Sequence, residues 1–206
     1  YNNTGDNMNE ESATKARLME YVKREFLDKG FEKASLRKIC ADADVTTGAM
    51  YFFFKNKLDL FTNIVAEKAE HLLKLVERQT DSEVNGIGNS EEYQREMNEY
   101  LCSNKDEVRI LLDKSEGTPF ENFREKYGLA VAQGFFAFYD KSGGTEEYRD
   151  IMKLIVRMRV QGYIEMLKGD YDMDKMMKFS ALMEAYGDCG FQGMMKQFKS
   201  IKEGVE

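Results

Sequence analysis

The sequence predicts an all-helical protein of one or two domains. Its 206 residues include a single proline, and Met, Phe, Leu, Lys and Glu are abundant while runs of β-branched residues are few. Such a composition favours helices over sheets. Apolar residues also recur every three or four positions along several segments, which is the spacing of one helix face. A chain of this length can bury a substantial core.

The first predicted helix carries Leu18, Val22 and Phe26 on one face and ends at Lys29-Gly30. Glycine suits the left-handed position that follows many helices, because it has no Cβ to collide with the preceding carbonyl. Residues 1–11 are polar and lack a helical apolar stripe, so they predict a mobile tail ahead of this helix.

Two short helices and a tight turn are predicted between Ser35 and Asn56. Ser35 and Thr46 are residue types that cap helix N-termini, and each precedes a short apolar pattern. Asp44 suits a left-handed position in the turn between them, and Asn56 suits the cap of a third helix. Helices so short and close together are typical of helix-turn-helix DNA-binding units, in which the second helix enters the major groove.

A long connecting helix, residues 57–80, is predicted from an apolar stripe that includes Leu58, Phe61 and Leu72. Residues 81–90 are polar, contain two glycines and have no helical period, which predicts a linker. Five further helices are expected at 91–102, 105–113, 119–140, 145–168 and 173–201. The resulting organisation is a tail (1–11), a helix-turn-helix domain (12–56), the connecting helix, the linker and a helical domain (91–206).

Three motifs within residues 35–60 are more specific than a bare helix-turn-helix pattern. They are Ser-Leu-Arg-Lys-Ile from Ser35, Ala-Asp-Val-Thr-Thr-Gly-Ala-Met-Tyr from Ala43, and Phe-Phe-Lys-Asn-Lys-Leu-Asp-Leu from Phe53. Together they resemble the DNA-binding domain of the tetracycline repressor (TetR) family over roughly residues 13–62. Asp44 stands where that family usually has Gly. Phe53 stands where a Tyr or His commonly contacts a phosphate, so we expect that hydrogen bond to be missing.

The resemblance implies double-stranded operator DNA as a partner and assigns a role to eight residues. Thr47 and Ala49, near the start of the recognition helix, are expected to face base edges, where a hydroxyl or a methyl group can discriminate bases. Arg37 is expected at a base or a phosphate. The remaining expected contacts hold the phosphate backbone, with Tyr51 equally suited to core packing; they are Ser35, Thr46, Tyr51, Lys55 and Lys57.

Positive charge is concentrated at this predicted reading unit. Residues 1–60 carry equal numbers of basic and acidic side chains, so the net charge of −7 arises beyond them. Residues 33–57 hold five basic side chains and two acidic ones. Since phosphate contacts depend on Lys and Arg, we expect the acidic remainder to weaken nonspecific DNA binding.

The last two predicted helices are rich in Met, Ile, Leu and small residues. Gly187, Gly190 and Gly193 lie inside the final helix, where glycine is unfavourable, which suggests that another backbone approaches closely. The TetR resemblance implies a homodimer whose four-helix interface is built from these two helices. Packing of the same residues within one subunit remains the alternative.

Aromatic and methionine side chains of the second domain suit an adaptable, mainly apolar ligand pocket, and the resemblance implies a small-molecule effector. Arg159 is a charge between Met158 and Val160 in an apolar helix; it faces either an anionic or polar ligand group or a carboxylate across the dimer. The candidate ligand-binding residues are Met97, Tyr100, Phe135, Tyr139, Arg159, Tyr163, Met183 and Tyr186.

Signals for catalysis are scarce. His71 is the only histidine and has no ligand partner at metal-binding spacing. The sequence holds no glycine-rich phosphate loop, nucleophile elbow or paired-cysteine motif. We therefore expect no enzyme activity, no cofactor and no metal.

The expected location is the cytoplasm. Cys40, Cys102 and Cys189 are odd in number and widely spaced, which fits reduced thiols better than disulfides. No apolar stretch approaches 18 residues, and no secretory leader opens the chain, so neither membrane insertion nor export is expected.

The function that the sequence predicts is a sequence-specific, homodimeric transcription regulator, a repressor released from its operator by a small molecule. An alternative is a helical, dimeric DNA-binding protein that is regulated by a protein partner instead of a metabolite. An enzyme built on a helical bundle has the weakest support.

Overall fold

The computed structural model describes residues 3–86 and 88–203, and within these ranges every regular element is helical. The all-helical class predicted from the sequence is therefore confirmed. No helix among these residues combines the length and apolar character needed to cross a bilayer. The helices are α1 (Asn3–Lys33), α2 (Leu36–Asp42), α3 (Thr47–Phe53), α4 (Lys57–Asn85), α5 (Ser90–Ser103), α6 (Lys105–Asp113), α7 (Phe123–Lys141), α8 (Arg149–Lys168) and α9 (Met173–Glu203), with a 3₁₀ turn (Glu146–Tyr148) before α8.

The helices form two compact units. The first contains the residues up to His71 together with Asn104–Arg124, and the second contains Leu72–Ser103 together with the residues from Glu125 onward. Helix α4 therefore begins in one unit and ends in the other. The units cut across the predicted boundaries at 57, 81 and 91 because α6, which is distant in sequence, packs on α1.

The first unit is built around the ring of Phe61 on α4. Its centroid lies 5.2 Å from that of Phe26, 5.3 Å from that of Phe31 and 6.3 Å from that of Phe120. Edge-on arrangements at such distances are favourable for aromatic pairs. This cluster joins α1, α4 and the segment that follows α6. The fully buried residues of this unit include Leu18, Val22, Phe26, Ile39, Met50, Leu60 and Phe61.

The second unit has a core of Tyr139, Met152 and Met195, contributed by α7, α8 and α9. The Tyr139 hydroxyl donates to the carbonyl of Thr145 and accepts from the Thr145 N–H, both at 2.9 Å. These bonds close the connection between α7 and the 3₁₀ turn. Tyr139 is fully buried here, so the structure places this predicted ligand residue in the core.

Most of the residues predicted to form a polar tail are helical, because α1 begins at Asn3. A helix that is already nucleated gains one hydrogen bond for each residue added, so a polar extension needs no apolar stripe of its own. The prediction that Gly30 interrupts the helical conformation is confirmed. Its φ of 74° is outside the helical range, and α1 is kinked there.

The predicted linker at residues 81–90 is wrong over its first half, since α4 continues to Asn85. Ser82 is buried, and the ammonium of Lys141 donates to the carbonyl of Val84 at 3.0 Å. These tertiary contacts stabilise the last turn of α4 although its residues are polar. Gly86, with a φ of 70°, marks the end of the helix.

The start of α7 also differs from its prediction. It begins at Phe123 instead of Pro119 because side chains satisfy backbone groups in the preceding turns. Ser115 Oγ donates to the Leu111 carbonyl at 2.9 Å, and Thr118 Oγ1 donates to the Ser115 carbonyl at 2.7 Å. Other helix ends lie within a few residues of their predictions.

Leu58 was expected on the buried stripe of α4, and this expectation is wrong. Leu58 is 37% exposed, whereas Leu60 is fully buried. The stripe is centred on Leu60, Phe61, Ile64 and Val65, and Leu58 lies at its edge in the first turn of the helix.

The two leucines provide a matched test of the packing. We expect Leu60→Ala to lower the free energy of unfolding by about 2–5 kcal/mol, because it leaves a cavity in the core. Leu58→Ala should cost under about 1 kcal/mol, since much of that side chain is already in water. Urea unfolding of both variants measures the difference, and equal losses would contradict this arrangement.

Candidate nucleic-acid interface and ligand cavity

The N-terminus of α2 is fastened to α1 by a buried carboxylate. Glu25, only 5% exposed, accepts hydrogen bonds from the Ser35 N–H at 3.2 Å and from the Lys38 ammonium at 3.0 Å. Ser35 Oγ in turn accepts from the Lys38 N–H at 3.3 Å, so the predicted cap is confirmed. Lys38 also pairs with Asp42 at 2.8 Å. Hydrogen bonds to both carboxylates raise the pKa of Lys38, and its charge is balanced within the protein.

The turn between α2 and α3 has the conformation that its residues predict. Asp44 adopts a φ of 51°, which is the left-handed region expected from the sequence. Its carbonyl accepts from the guanidinium of Arg17 at 3.3 Å. Thr46 Oγ1 accepts from the Ala49 N–H at 3.0 Å, which confirms the second predicted cap. The chain therefore turns sharply and begins a new helix within a few residues.

Helix α3 is seven residues long and buries only one of them fully. Met50 is 0% exposed, while Tyr51 is 52% and Phe52 71% exposed. Thr47 is exposed and Ala49 is half-buried. An exposed Phe beside an exposed Tyr is unusual for a helix that serves only packing, so the outward face of α3 is a candidate contact surface.

Thr47 also contacts the preceding helix. Burial raises the pKa of the Cys40 thiol, and a hydrogen bond with the Thr47 side chain partly offsets this shift. Thr47 is nonetheless exposed.

The predicted basic contacts divide into two kinds. The Arg37 side chain is exposed and makes no hydrogen bond or ion pair within the described ranges, and the Lys55 side chain is likewise exposed. The Lys57 ammonium instead donates to the carbonyls of Glu32 at 3.0 Å and Ala34 at 3.2 Å. It also lies 4.7 Å from the centroid of the Phe31 ring. The structure thus gives Lys57 an internal role that its sequence position did not reveal.

Two exposed residues near this surface were missed by the sequence reasoning. Arg17 reaches the turn before α3 from α1, a contact across 27 positions that no local pattern indicates. The exposure of Phe52 could have been predicted from the sequence. Met50 and Phe54 lie one helical turn apart on the buried face, so Phe52 between them points away from the core.

A cavity of about 310 Å³ lies within the second unit, among α4, α5, α7, α8 and α9. Four predicted ligand residues line it, namely Met97, Phe135, Arg159 and Tyr163. The other four do not. Tyr139 is core, Tyr186 is 80% exposed, Met183 lies against Gly162 and a shallower depression, and Tyr100 is half-buried on α5.

Several lining residues were not predicted, and some of them are polar. Tyr127 contributes a phenol whose pKa is raised by burial and by the neighbouring Tyr163. Glu184 and Asp188 of α9 also line the cavity. Sequence reasoning ranked residues by aromatic and Met content, so it passed over polar groups that the fold brings together.

One wall of the cavity is a chain of hydrogen-bonded polar side chains. Gln79 of α4 donates to Gln94 of α5 at 2.7 Å, and Gln94 donates to the Tyr163 hydroxyl at 3.4 Å. That hydroxyl lies 3.4 Å from Ser180 Oγ, which donates to Asn98 at 2.7 Å. Four helices are therefore connected through groups at or next to the cavity.

The cap of α3 can be tested with neighbouring threonines. We expect Thr46→Ala to lower the free energy of unfolding by about 0.5–2 kcal/mol, because the Ala49 N–H loses its acceptor. Thr47→Ala removes no cap and should have the smaller effect. Denaturant unfolding monitored by circular dichroism compares them, and a larger loss for Thr47→Ala would be inconsistent with this geometry.

Comparison with known proteins agrees with the geometry of the first unit. Residues 22–64 match the family model for bacterial regulatory proteins, tetR family. The HTH-type transcriptional repressor BepR of Brucella suis biovar 1 (strain 1330) is 36% identical over 56 residues, which are 27% of this chain and 27% of BepR. The alignment thus spans about a quarter of that curated relative.

Two solved structures share the fold across most of the chain. A transcriptional regulator (TerR/AcrR family) from Aquifex aeolicus VF5 has a TM-score of 0.50 at 24% identity, covering 81% of this chain and 95% of its own. A gamma-butyrolactone receptor (ArpA-like protein) has a TM-score of 0.51 at 19% identity, covering 86% and 98%. At these identities the likeness shows the fold alone. The helix-turn-helix segment of this chain, residues 22–64, is therefore similar to the tetR family of bacterial regulatory proteins.

Proposed function

We propose that the protein is a sequence-specific DNA-binding transcription regulator, a homodimeric repressor that a small molecule releases from its operator. The observation that carries the proposal is the outward face of α3, which is held by the Thr46 cap and by the buried Met50 while Thr47, Tyr51 and Phe52 remain exposed. The action is binding alone, in the cytoplasm, without a catalytic step. Repression is supported by BepR, whose name describes a repressor and whose matched segment lies in the same region.

DNA reading by this face follows from the chemistry of its residues. Thr47 and Ala49 offer a hydroxyl and methyl groups to base edges in the major groove. The Ser35 and Thr46 hydroxyls accept their capping hydrogen bonds through lone pairs, so each still has a proton to donate to a phosphate oxygen. Tyr51, Arg37 and Lys55 are exposed and complete the proposed contacts. Lys57 would act indirectly, by holding the carbonyls of Glu32 and Ala34 just ahead of α2.

The homodimer is supported by apolar side chains left exposed on the last two helices. On α8, Leu154 is 52% and Met158 is 62% exposed; on α9, Leu182 is 68% and Tyr186 is 80% exposed. A Cβ added at Gly190 or Gly193 would meet nothing within 4 Å among the described residues, so their packing does not require these glycines. Close approach of a second copy would account for both features.

Release by a ligand is supported by the course of α4. Its C-terminal part supplies Val76, Gln79 and Thr80 to the cavity, and its N-terminal part from Lys57 to His71 belongs to the unit that carries α3. A ligand that shifts the cavity wall would therefore move a helix that is continuous with the DNA-binding unit. Coupling of about 1–3 kcal/mol corresponds to a 5–150-fold change in operator affinity. Regulation by a protein partner would leave the cavity without a role.

The DNA-binding proposal is tested by gel shifts on duplexes from the DNA flanking the gene. We expect Lys55→Ala to weaken all sequences alike and to reduce the salt slope by about one, because one phosphate is no longer neutralised by the protein. Thr47→Ala should instead change the preference at one base position. Lys199→Ala, at an exposed lysine of α9, serves as the control and should bind like the wild type. Absence of any preferred site at moderate salt would falsify the proposal.

The dimer is tested with two exposed leucines. We expect Leu182→Glu to convert the protein to a monomer in light scattering coupled to size exclusion, because a carboxylate would be buried in an apolar interface. Leu129→Glu, at a residue of α7 that is 60% exposed, should leave the dimer intact. A wild-type protein that is monomeric at micromolar concentration would contradict the homodimer.

A further inference from the structure

We infer that the cavity of the second unit takes an amphipathic monoanion, with an apolar or aromatic body and one carboxylate-like group held by Arg159. The inference rests on the proposed function, because it names the chemical class of the effector for the same cavity. It concerns ligand chemistry alone, so DNA binding can hold whether or not the inference does.

Arg159 is positioned by its neighbours and lines the cavity. Its guanidinium carbon lies 4.7 Å from the centroid of the Phe135 ring on α7. On the other side its Nη1 lies so near the backbone of α9 that a Cβ at Gly187 would collide with it. The planar group is therefore held between an aromatic face and a glycine, which limits its freedom before any ligand arrives.

The guanidinium has no acceptor among the described residues. Arg24, Arg78 and Arg149 each pair with a carboxylate, whereas the Arg159 side chain makes no ion pair or hydrogen bond within the described ranges. Arg159 is also half-buried. A guanidinium that is partly removed from water without an acceptor is costly, and a bidentate anionic group would supply two acceptors at once.

The remaining lining fits the rest of such a ligand. Met97, Leu101, Phe138 and Phe191 provide apolar surface, and the Tyr163 hydroxyl presents one polar group that the chain of hydrogen bonds orients. The volume of about 310 Å³ lies at the lower end of the range for small-molecule sites, about 300–1,000 Å³. A compact ligand with a single polar end therefore matches the site.

Two carboxylates restrict the charge of the ligand. Glu184 and Asp188 lie on either side of Gly187 along α9 and also line the cavity. They would repel a second negative charge on the ligand, while the guanidinium offers one place for an anionic group. The site therefore favours one negative charge over two.

A matched pair of fluorescent probes separates the anionic group from the aromatic body. The sulfonate 1-anilinonaphthalene-8-sulfonate and the neutral N-phenyl-1-naphthylamine share their ring system and differ in charge. Both would be titrated against the full chain and its variants Arg159→Gln, Arg157→Gln, Gly187→Ala and Asp188→Asn. Arg157 is the control, because it is an exposed arginine of the same helix that does not line the cavity.

We expect Arg159→Gln to weaken the sulfonate about tenfold or more, equivalent to about 1.4 kcal/mol, and to leave the neutral probe within about twofold. Arg157→Gln should change neither. Gly187→Ala should weaken the sulfonate by displacing the guanidinium, while the fold survives because alanine favours helices. Asp188→Asn should tighten it by removing repulsion.

Three results would overturn the inference. In the first, the sulfonate does not bind the wild-type protein. In the second, Arg159→Gln leaves sulfonate binding unchanged. In the third, that variant weakens both probes equally. Adsorption to exposed apolar helix faces would give the second result, because it does not involve Arg159. Gel shifts on the same preparations show whether DNA binding persists, so failure of the ligand class is distinguished from failure of the regulator itself.

Discussion

The proposed DNA-binding face depends on how a seven-residue helix is held in place. A helix as short as α3 is unstable alone in water, so its geometry must come from its attachments. Met50 and Phe54 insert one helical turn apart into the core, and Thr46 satisfies the Ala49 N–H at the other end. These attachments use one side of the helix. Thr47, Tyr51 and Phe52 of the same helix remain exposed.

In the same unit, some basic side chains are bound within the protein and others remain exposed. Lys38 is balanced by Glu25 and Asp42, and Lys57 is bound to two backbone carbonyls. The local positive charge in the sequence therefore overstates what is available at the surface. Arg37 and Lys55 remain exposed, which fits a protein whose affinity comes from a few well-placed contacts instead of a broad basic surface.

Features set by neighbouring residues could be predicted from the sequence, while features set by distant residues could not. The caps at Ser35 and Thr46 and the left-handed Asp44 depend on a few adjacent positions. The packing of α6 on α1 and the cavity's polar wall join residues dozens of positions apart. Tyr139 and Tyr163 were both predicted to bind ligand because they are aromatic residues of the second domain. Tertiary packing places Tyr139 in the core and Tyr163 at the cavity.

Photo-crosslinking tests the outward face of α3 most directly. p-Benzoylphenylalanine would replace Phe52 in one preparation and Leu129 in another, both exposed apolar positions. Each would be irradiated with a duplex selected for binding to the wild-type protein. We expect a covalent DNA adduct from position 52 and none from position 129. Absence of an adduct at position 52 while the duplex remains bound, or equal yields from both positions, would contradict DNA reading by α3.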